Sequence, residues 1–338
     1  MLLSNSMRRW RIIVAILLVI SVLLLSACSS SGVKDGCLLL NGDNVAVDWV
    51  LKINGTEIGP GEYRYQFLTM RDENDEGDAT FWTEENAAIL KEQVVEYILL
   101  LVAVDDLADD YGIVRGEDSA AYAQSEYLAT QTSIGTEEDF LNALAEIHLD
   151  ESTYLAQLES DYLQMQLYTV LFGENGKYAI TDEEFLEVVD RDYARVRYLS
   201  VKFDETNYAE KREHAENLAQ MVNDENFVEL VNQYSEEKGM IGNPDGLYLR
   251  PGMTQDPTFE AACFALERNE ISGLIESDNA FYIIKRLPPE AEYVEQNIDD
   301  MINGYYGAIF SEMLLKTAEN YAVEYAEIYD QISVASMG

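Results

Sequence analysis

A ten-residue run, Ala194-Arg-Val-Arg-Tyr-Leu-Ser-Val-Lys-Phe203, constrains this chain more than any other stretch. It is rich in β-branched and aromatic residues, so it reads as a strand. A strand needs partners, and its surroundings supply few. From Trp82 to Phe172 the apolar positions recur at helical spacing, and helix returns after Pro288-Pro289. The partners must come from what lies between. There a helical segment ends in Phe227-Val-Glu-Leu-Val-Asn-Gln-Tyr-Ser-Glu-Glu237 and a Gly/Pro-rich loop runs from Gly239 to Met253. A short helix spans 257–266, Asn269-Glu-Ile-Ser-Gly-Leu-Ile follows, and Phe281-Tyr-Ile-Ile-Lys285 closes the segment as a second strand. The sequence thus implies a small α/β unit set between helical flanks.

The flanks carry clear start and stop signals. Val47 to Ile53 reads as a strand, Asn54-Gly55 as a hairpin turn, and Thr56-Glu-Ile58 as its return. Helices are expected over 82–111, 117–129, 136–148 and 152–172, punctuated by Gly112, Gly135 and Gly173-Glu-Asn-Gly176. Thr181-Asp-Glu-Glu-Phe185 is a capped helix start, with a hydroxyl at the cap and carboxylates over the positive end of the macrodipole. Tyr293 to Tyr321 is a long amphipathic stretch, and Val323 to Tyr329 is strand-like. Tyr and Met side chains abound in the helical flank; they fit either a core or a groove for unfolded segments.

At the N-terminus, Arg8, Arg9 and Arg11 precede an apolar run from Ile12 to Leu25, the layout of a targeting signal. The run is shorter than the roughly 20 residues a membrane-spanning helix needs. It ends in Leu25-Ser-Ala-Cys28, which resembles the lipobox of bacterial lipoproteins. That resemblance implies removal of residues 1–27, a lipid on Cys28, and a chain anchored at the outer face of the bacterial cytoplasmic membrane. Residues 28–45, rich in Ser, Gly, Asp and Asn, read as a tether. An extracytoplasmic setting permits a disulfide, but Cys37 and Cys263 form no framework, and none is expected between them.

Charge and histidine content exclude several functions. The formal net charge of -41 repels nucleic acid, and no nucleic-acid partner is expected. The two histidines, His148 and His214, lack Ser, Cys or metal-ligand companions at a meaningful spacing, and both read as solvated surface residues. No phosphate-cradling glycine loop and no calcium-loop pattern occurs. No metal and no cofactor is expected.

The order and spacing of the pieces between Tyr193 and Pro288 resemble the parvulin family of peptidyl-prolyl isomerases. Val50-Leu-Lys-Ile-Asn-Gly-Thr-Glu-Ile58 with Glu62-Tyr63 resembles the start of the chaperone domain in SurA- and PrsA-type foldases. The resemblance implies an α+β protein: a mostly helical chaperone domain, residues 46–191, into which a βα3βαβ2 parvulin-like domain, 192–288, is inserted. Residues 289–338 would then pack back on the chaperone domain. It also implies partners, namely unfolded or newly exported polypeptides with X-Pro segments.

Prolyl isomerisation forms no covalent bond. Its barrier of about 20 kcal/mol comes from lost amide resonance, so an apolar cup that favours the twisted amide suffices. In the family a Met and a Phe clasp the proline ring, and these positions fall on Met253 and Phe259. Leu247 and Tyr248 match additional walls. The family's two histidines are Tyr198 and Tyr282 here, and its Cys or Asp falls at Glu236 or Glu237, with Glu237 taken as the site residue. A phenol keeps a hydroxyl that donates and accepts but does not titrate near neutral pH. The change implies either an altered isomerase or a domain retained for client binding without catalysis. A lipoprotein that binds a solute or scaffolds the envelope is a third reading. The family's Gly-Gly-Asp-Leu-Gly loop becomes Gly242-Asn-Pro-Asp-Gly246, where proline removes a backbone donor.

Overall fold

The computed structural model describes residues 34–75 and 79–338. The signal segment 1–27 and Cys28 lie outside the described residues. The fold is mixed α+β, as the sequence implied, and divides into two units. One takes the described residues up to Ala179 together with Tyr306–Gly338; the other is Ile180–Tyr305. No helix among the described residues is long and apolar enough to cross a membrane.

The first unit opens with two short hairpins, β1 (Leu38–Leu40) with β2 (Asp43–Val45) and β3 (Leu51–Ile53) with β4 (Thr56–Ile58). Asn41-Gly42 and Asn54-Gly55 turn them with φ of 52° and 87°, and of 49° and 87°. Positive φ at both central residues is the turn geometry that matches strand twist, and Asn-Gly adopts it at low cost. From the other end of the chain β9 (Val323–Tyr325) pairs with β3, giving the order β4-β3-β9. The helices are α1 (Pro60–Asp75), α2 (Glu84–Asp110), α3 (Glu117–Ile134), α4 (Glu137–Glu146) and α5 (Glu151–Phe172). Thr83 caps α2 by accepting from the Asn86 amide at 3.1 Å, and Thr136 caps α4 in a reciprocal box with Asp139.

Two expectations for this unit are corrected. The stretch through residue 45, read as a tether, is folded from Leu38 onward. Its Ser, Gly, Asp and Asn content suggested mobility, but Leu38 and Leu40 are buried in a core with Leu51, Ile53, Tyr63, Phe67 and Ile98. Burying such side chains at about 25 cal/mol per Å² of apolar surface outweighs the local composition. His148, read as solvated, is half-buried, and its Nε2 lies 2.7 Å from Asp72. His214 is exposed. Cys37 and Cys263 are both buried free thiols.

The second unit begins with α6 (Asp182–Asp192), capped by Thr181 in a box with Glu184. Then follow β5 (Ala194–Lys202), α7 (Tyr208–Met221), α8 (Phe227–Tyr234), a 3-10 turn at Lys238–Met240, and β6 (Leu247–Leu249). After them come α9 (Pro257–Ala265), β7 (Ile275–Glu276), β8 (Ala280–Leu287) and α10 (Ala291–Gln296). A further helix, α11 (Ile298–Ala318), carries the chain out of this unit. The sheet is antiparallel with order β6-β5-β8-β7. Side chains alternate across it. Val196, Leu249 and Ile284 join Phe259 and Cys263 of α9 in one cluster. Leu199, Val201, Phe281 and Ile283 join Leu218 of α7 and Phe227 and Val231 of α8 in another.

Candidate active site

The β5–β8 register places Tyr198 opposite Ile284 and Ser200 opposite Tyr282. Tyr198 and Tyr282 are therefore diagonal neighbours on the face toward α9, within reach for aromatic rings. Their ring centroids stand 5.9 Å apart. Phe259, buried on the first turn of α9, completes a triangle at 4.7 Å from Tyr198 and 4.8 Å from Tyr282. Leu247, half-buried, packs against the same cluster. Four residues singled out from the sequence thus meet on one side of the sheet.

The loop before α9 positions a fifth. Asp256 caps the helix by accepting from the Phe259 amide at 2.9 Å, with Pro257 behind it, which fixes where Phe259 enters. Glu260, one residue on, reaches back to accept from the amides of Gly252 at 2.8 Å and Thr254 at 3.1 Å. These two bonds bracket Met253. Its side chain is 37% exposed, and its sulfur accepts from the Arg250 amide at 3.3 Å. Met253 is thus presented at the surface by a clamped turn.

Tyr248 lies elsewhere. On β6 it is flanked by Leu247 and Leu249, so period-2 alternation sends it to the opposite face, where it pairs across from Arg195. It stacks on Tyr293 at 4.9 Å and accepts from the Glu290 amide at 2.9 Å. It is a buried structural tyrosine and no wall of the aromatic site. Glu237 caps the 3-10 turn and pairs with Lys202 at 3.5 Å, and its charge acts on both site tyrosines. Glu236 instead pairs with Lys211 and accepts from the Lys202 amide at 2.8 Å.

Burial, with the charge of Glu237, pushes the Tyr198 phenol up to about 12. Tyr282 is raised further, by burial and by the charge and hydrogen bond of Asp256. Both hydroxyls therefore stay protonated at neutral pH. Burial likewise raises the Cys263 thiol beside them to about 12, which leaves it unreactive. The site offers an apolar aromatic surface with neutral hydroxyls at its edge, suited to holding a small apolar ring next to a polar amide.

The sequence reading missed Ser200, Asp256 and Glu260. Ser200 is buried across from Tyr282, with no partner for its hydroxyl oxygen among the described residues. The Asp256-Pro257 pair was a legible helix start. The reach of Glu260 to Gly252 was not, because it depends on how the loop folds over.

Residues 198–287 match the profile of the PPIC-type PPIASE domain, described as rotamase. The foldase protein PrsA of Oceanobacillus iheyensis is 26% identical over 191 residues, covering 55% of this chain and 56% of that protein. The chain thus spans little more than half the length of this relative. Among solved structures, PrsA of Bacillus anthracis is 18% identical, covering 66% of this chain and 97% of its own, at a TM-score of 0.37. A SurA-like chaperone structure from Campylobacter jejuni is 16% identical, covering 80% and 94%, at a TM-score of 0.22.

Proposed function

We propose, for a chain that carries a PPIC-type rotamase domain and is related to PrsA foldases, that it is a foldase acting on unfolded polypeptides, with an altered prolyl-isomerase site. The observation that carries this reading is the meeting of Tyr198, Tyr282 and Phe259 at centroid distances of 4.7 to 5.9 Å. A proline ring seated against Phe259 would lie on apolar surface beside the Tyr198 phenol, whose O–H is available as a donor, while the Tyr282 phenol is held by Asp256. Twisting removes the amide resonance, which leaves the oxygen less basic and the nitrogen more so. An apolar cup that excludes water therefore favours the twisted form, and a phenol donor aimed at that nitrogen adds to it. Domain limits of 46–191, 192–288 and 289–338, with the lipid anchor at Cys28 and an extracytoplasmic location, complete the proposal. They rest on the sequence resemblance.

The test is cis/trans relaxation of a short prolyl peptide. Wild type accelerates it, and Phe259→Ala or Met253→Ala removes most of the acceleration. Tyr198→Phe lowers it about tenfold, the effect of roughly 1.4 kcal/mol in the barrier. The rate is flat from pH 6 to pH 9, because both phenols stay protonated across that window. No acceleration by wild type would sink the isomerase. A second reading is favoured by one observation: Phe259 is only 4% exposed between the two tyrosines, which leaves little of its ring for a proline. Suppressed aggregation of unrelated unfolded proteins, with no isomerase rate, would establish it.

A further inference from the structure

The face of the sheet turned away from the aromatic site holds a cation that forms no ion pair among the described residues. Arg197 on β5 is only 8% exposed. Its Nε is sealed from solvent with no hydrogen-bond partner, and among the described residues its guanidinium makes no hydrogen bond or ion pair. Its terminal nitrogens are not sealed in this way, so the fork opens outward. Directly across the strand pair stands Lys285, a like charge, and Arg195 lies two residues along the same face. Like charges in register destabilise a sheet unless an anion joins them, and burying an unpaired ion is costly.

The neighbours do not supply that anion. Arg195 spends its donors on the carbonyls of Asp245, Pro244 and Pro288 and on the Glu290 carboxylate. Lys285 pairs at 2.7 Å with Asp224, whose side chain is 72% exposed. The Lys285 side chain is 16% exposed, so it is the Asp224 end of the pair that stands in solvent, where screening weakens it. Asp245 attracts Arg197 without bonding to it. The 242–246 loop lies so close that a Cβ on Gly246 would stand 3.1 Å from Arg197 Cγ and 2.5 Å from the Val196 carbonyl. With φ of +72° as well, Gly246 lets the loop cross the arginine stem while the head stays open.

We infer that Arg197, with Lys285 beside it, forms an oxyanion-binding notch on the back of the sheet, which takes a carboxylate presented by a polypeptide. A guanidinium fork matches a carboxylate in bidentate geometry. The net charge of -41 weighs against a doubly charged phosphate and less against one carboxylate. The loop over the arginine also carries Ile241, 46% exposed. The next amide, Gly242, donates to Asn232, one helical turn from the 45% exposed Val228. Apolar side chains flanking the acidic residue would find surface there. That a polypeptide brings the carboxylate rests on the foldase reading; the notch itself does not.

The probes are the blocked peptide acetyl-Val-Asp-Val-amide, its Asn counterpart, acetate and inorganic phosphate, added to the whole protein at low ionic strength. The readout is the NMR signal of the Arg197 Nε–H, identified by its loss in Arg197→Met. The Asp peptide shifts the signal saturably, binds at least tenfold more tightly than the Asn peptide, and binds more tightly than acetate or phosphate. Binding of the Asp peptide drops at least tenfold in Arg197→Met, whose melting temperature stays at or above that of wild type. An unmoved signal with every anion overturns the notch. Acetate or phosphate binding as tightly as the Asp peptide overturns the polypeptide ligand and leaves a free-anion site. Prolyl relaxation by the same preparation reports separately on the foldase reading and is unchanged in Arg197→Met.

Discussion

Two buried arginines, one in each unit, meet opposite fates. Arg64 on α1 is 2% exposed, and both terminal nitrogens of its fork are bonded. It donates to the Cys37 carbonyl at 3.2 Å, the His148 carbonyl at 3.3 Å and the Asp150 carboxylate at 3.0 Å. In doing so it ties the N-terminal hairpin segment to the start of α5. Arg197 is nearly as buried and bonds to nothing among the described residues. A satisfied buried charge fixes a fold, whereas an unsatisfied one draws on stability that the rest of the unit supplies. The contrast separates an arginine that holds structure from one that awaits a partner.

The largest effect that can break this comparison is Arg64→Ala. It leaves the Asp150 carboxylate without its cation and two carbonyls without their donor, and should lower the stability of the first unit by about 3–5 kcal/mol. Urea unfolding followed by Trp49 and Trp82, both in that unit, measures it; a loss below about 1 kcal/mol would show that the network is ornamental.

Acid probes the same network more gently. Burial alone would raise the Asp150 carboxyl, but hydrogen bonds from Thr153 and the charge of Arg64 hold it below the ordinary carboxylate range. Its contribution is therefore complete above about pH 4 and is lost as the pH falls through its lower folded value. Asp35, raised by burial and its bond to Asp150, runs the other way: its contribution is present in acid and fades as the pH rises through its raised value. The first unit should lose stability below pH 4 more steeply in wild type than in Asp150→Asn, and equal slopes would remove the assignment.

The smallest effect has the opposite sign. Arg197→Met exchanges an unpaired cation for an apolar side chain of similar length, so the second unit should gain from zero to about 2 kcal/mol by thermal melting. A loss as large as that of Arg64→Ala would mean that Arg197 is a structural residue after all.

Legibility followed the range of the signal. Thr181 was visible as a helix start because a cap acts over three residues. Asn54-Gly55 was visible because the turn is a property of two residues. Asn41-Gly42 carries the same signal, but in a stretch whose Ser, Gly, Asp and Asn content reads as tether, and only the burial of Leu38 and Leu40 makes it a hairpin. Tyr198, Tyr282 and Phe259 came together as the resemblance to the parvulin family implied. Tyr248 did not, since its side of the sheet depends on the β5–β6 register, and one residue either way reverses it.

The sequence by itself determined the helices, the two strands that carry Tyr198 and Tyr282, the excess of negative charge and the resemblance of residues 193–288 to a known family. All of these are written in neighbours a few positions apart. Only the tertiary structure decided that Glu260 clamps the turn bearing Met253, that Tyr248 faces away, and that Arg197 forms no ion pair among the described residues. Each depends on residues far apart in the chain being brought to one place, and pairing across a sheet is set by register and packing that no local pattern encodes.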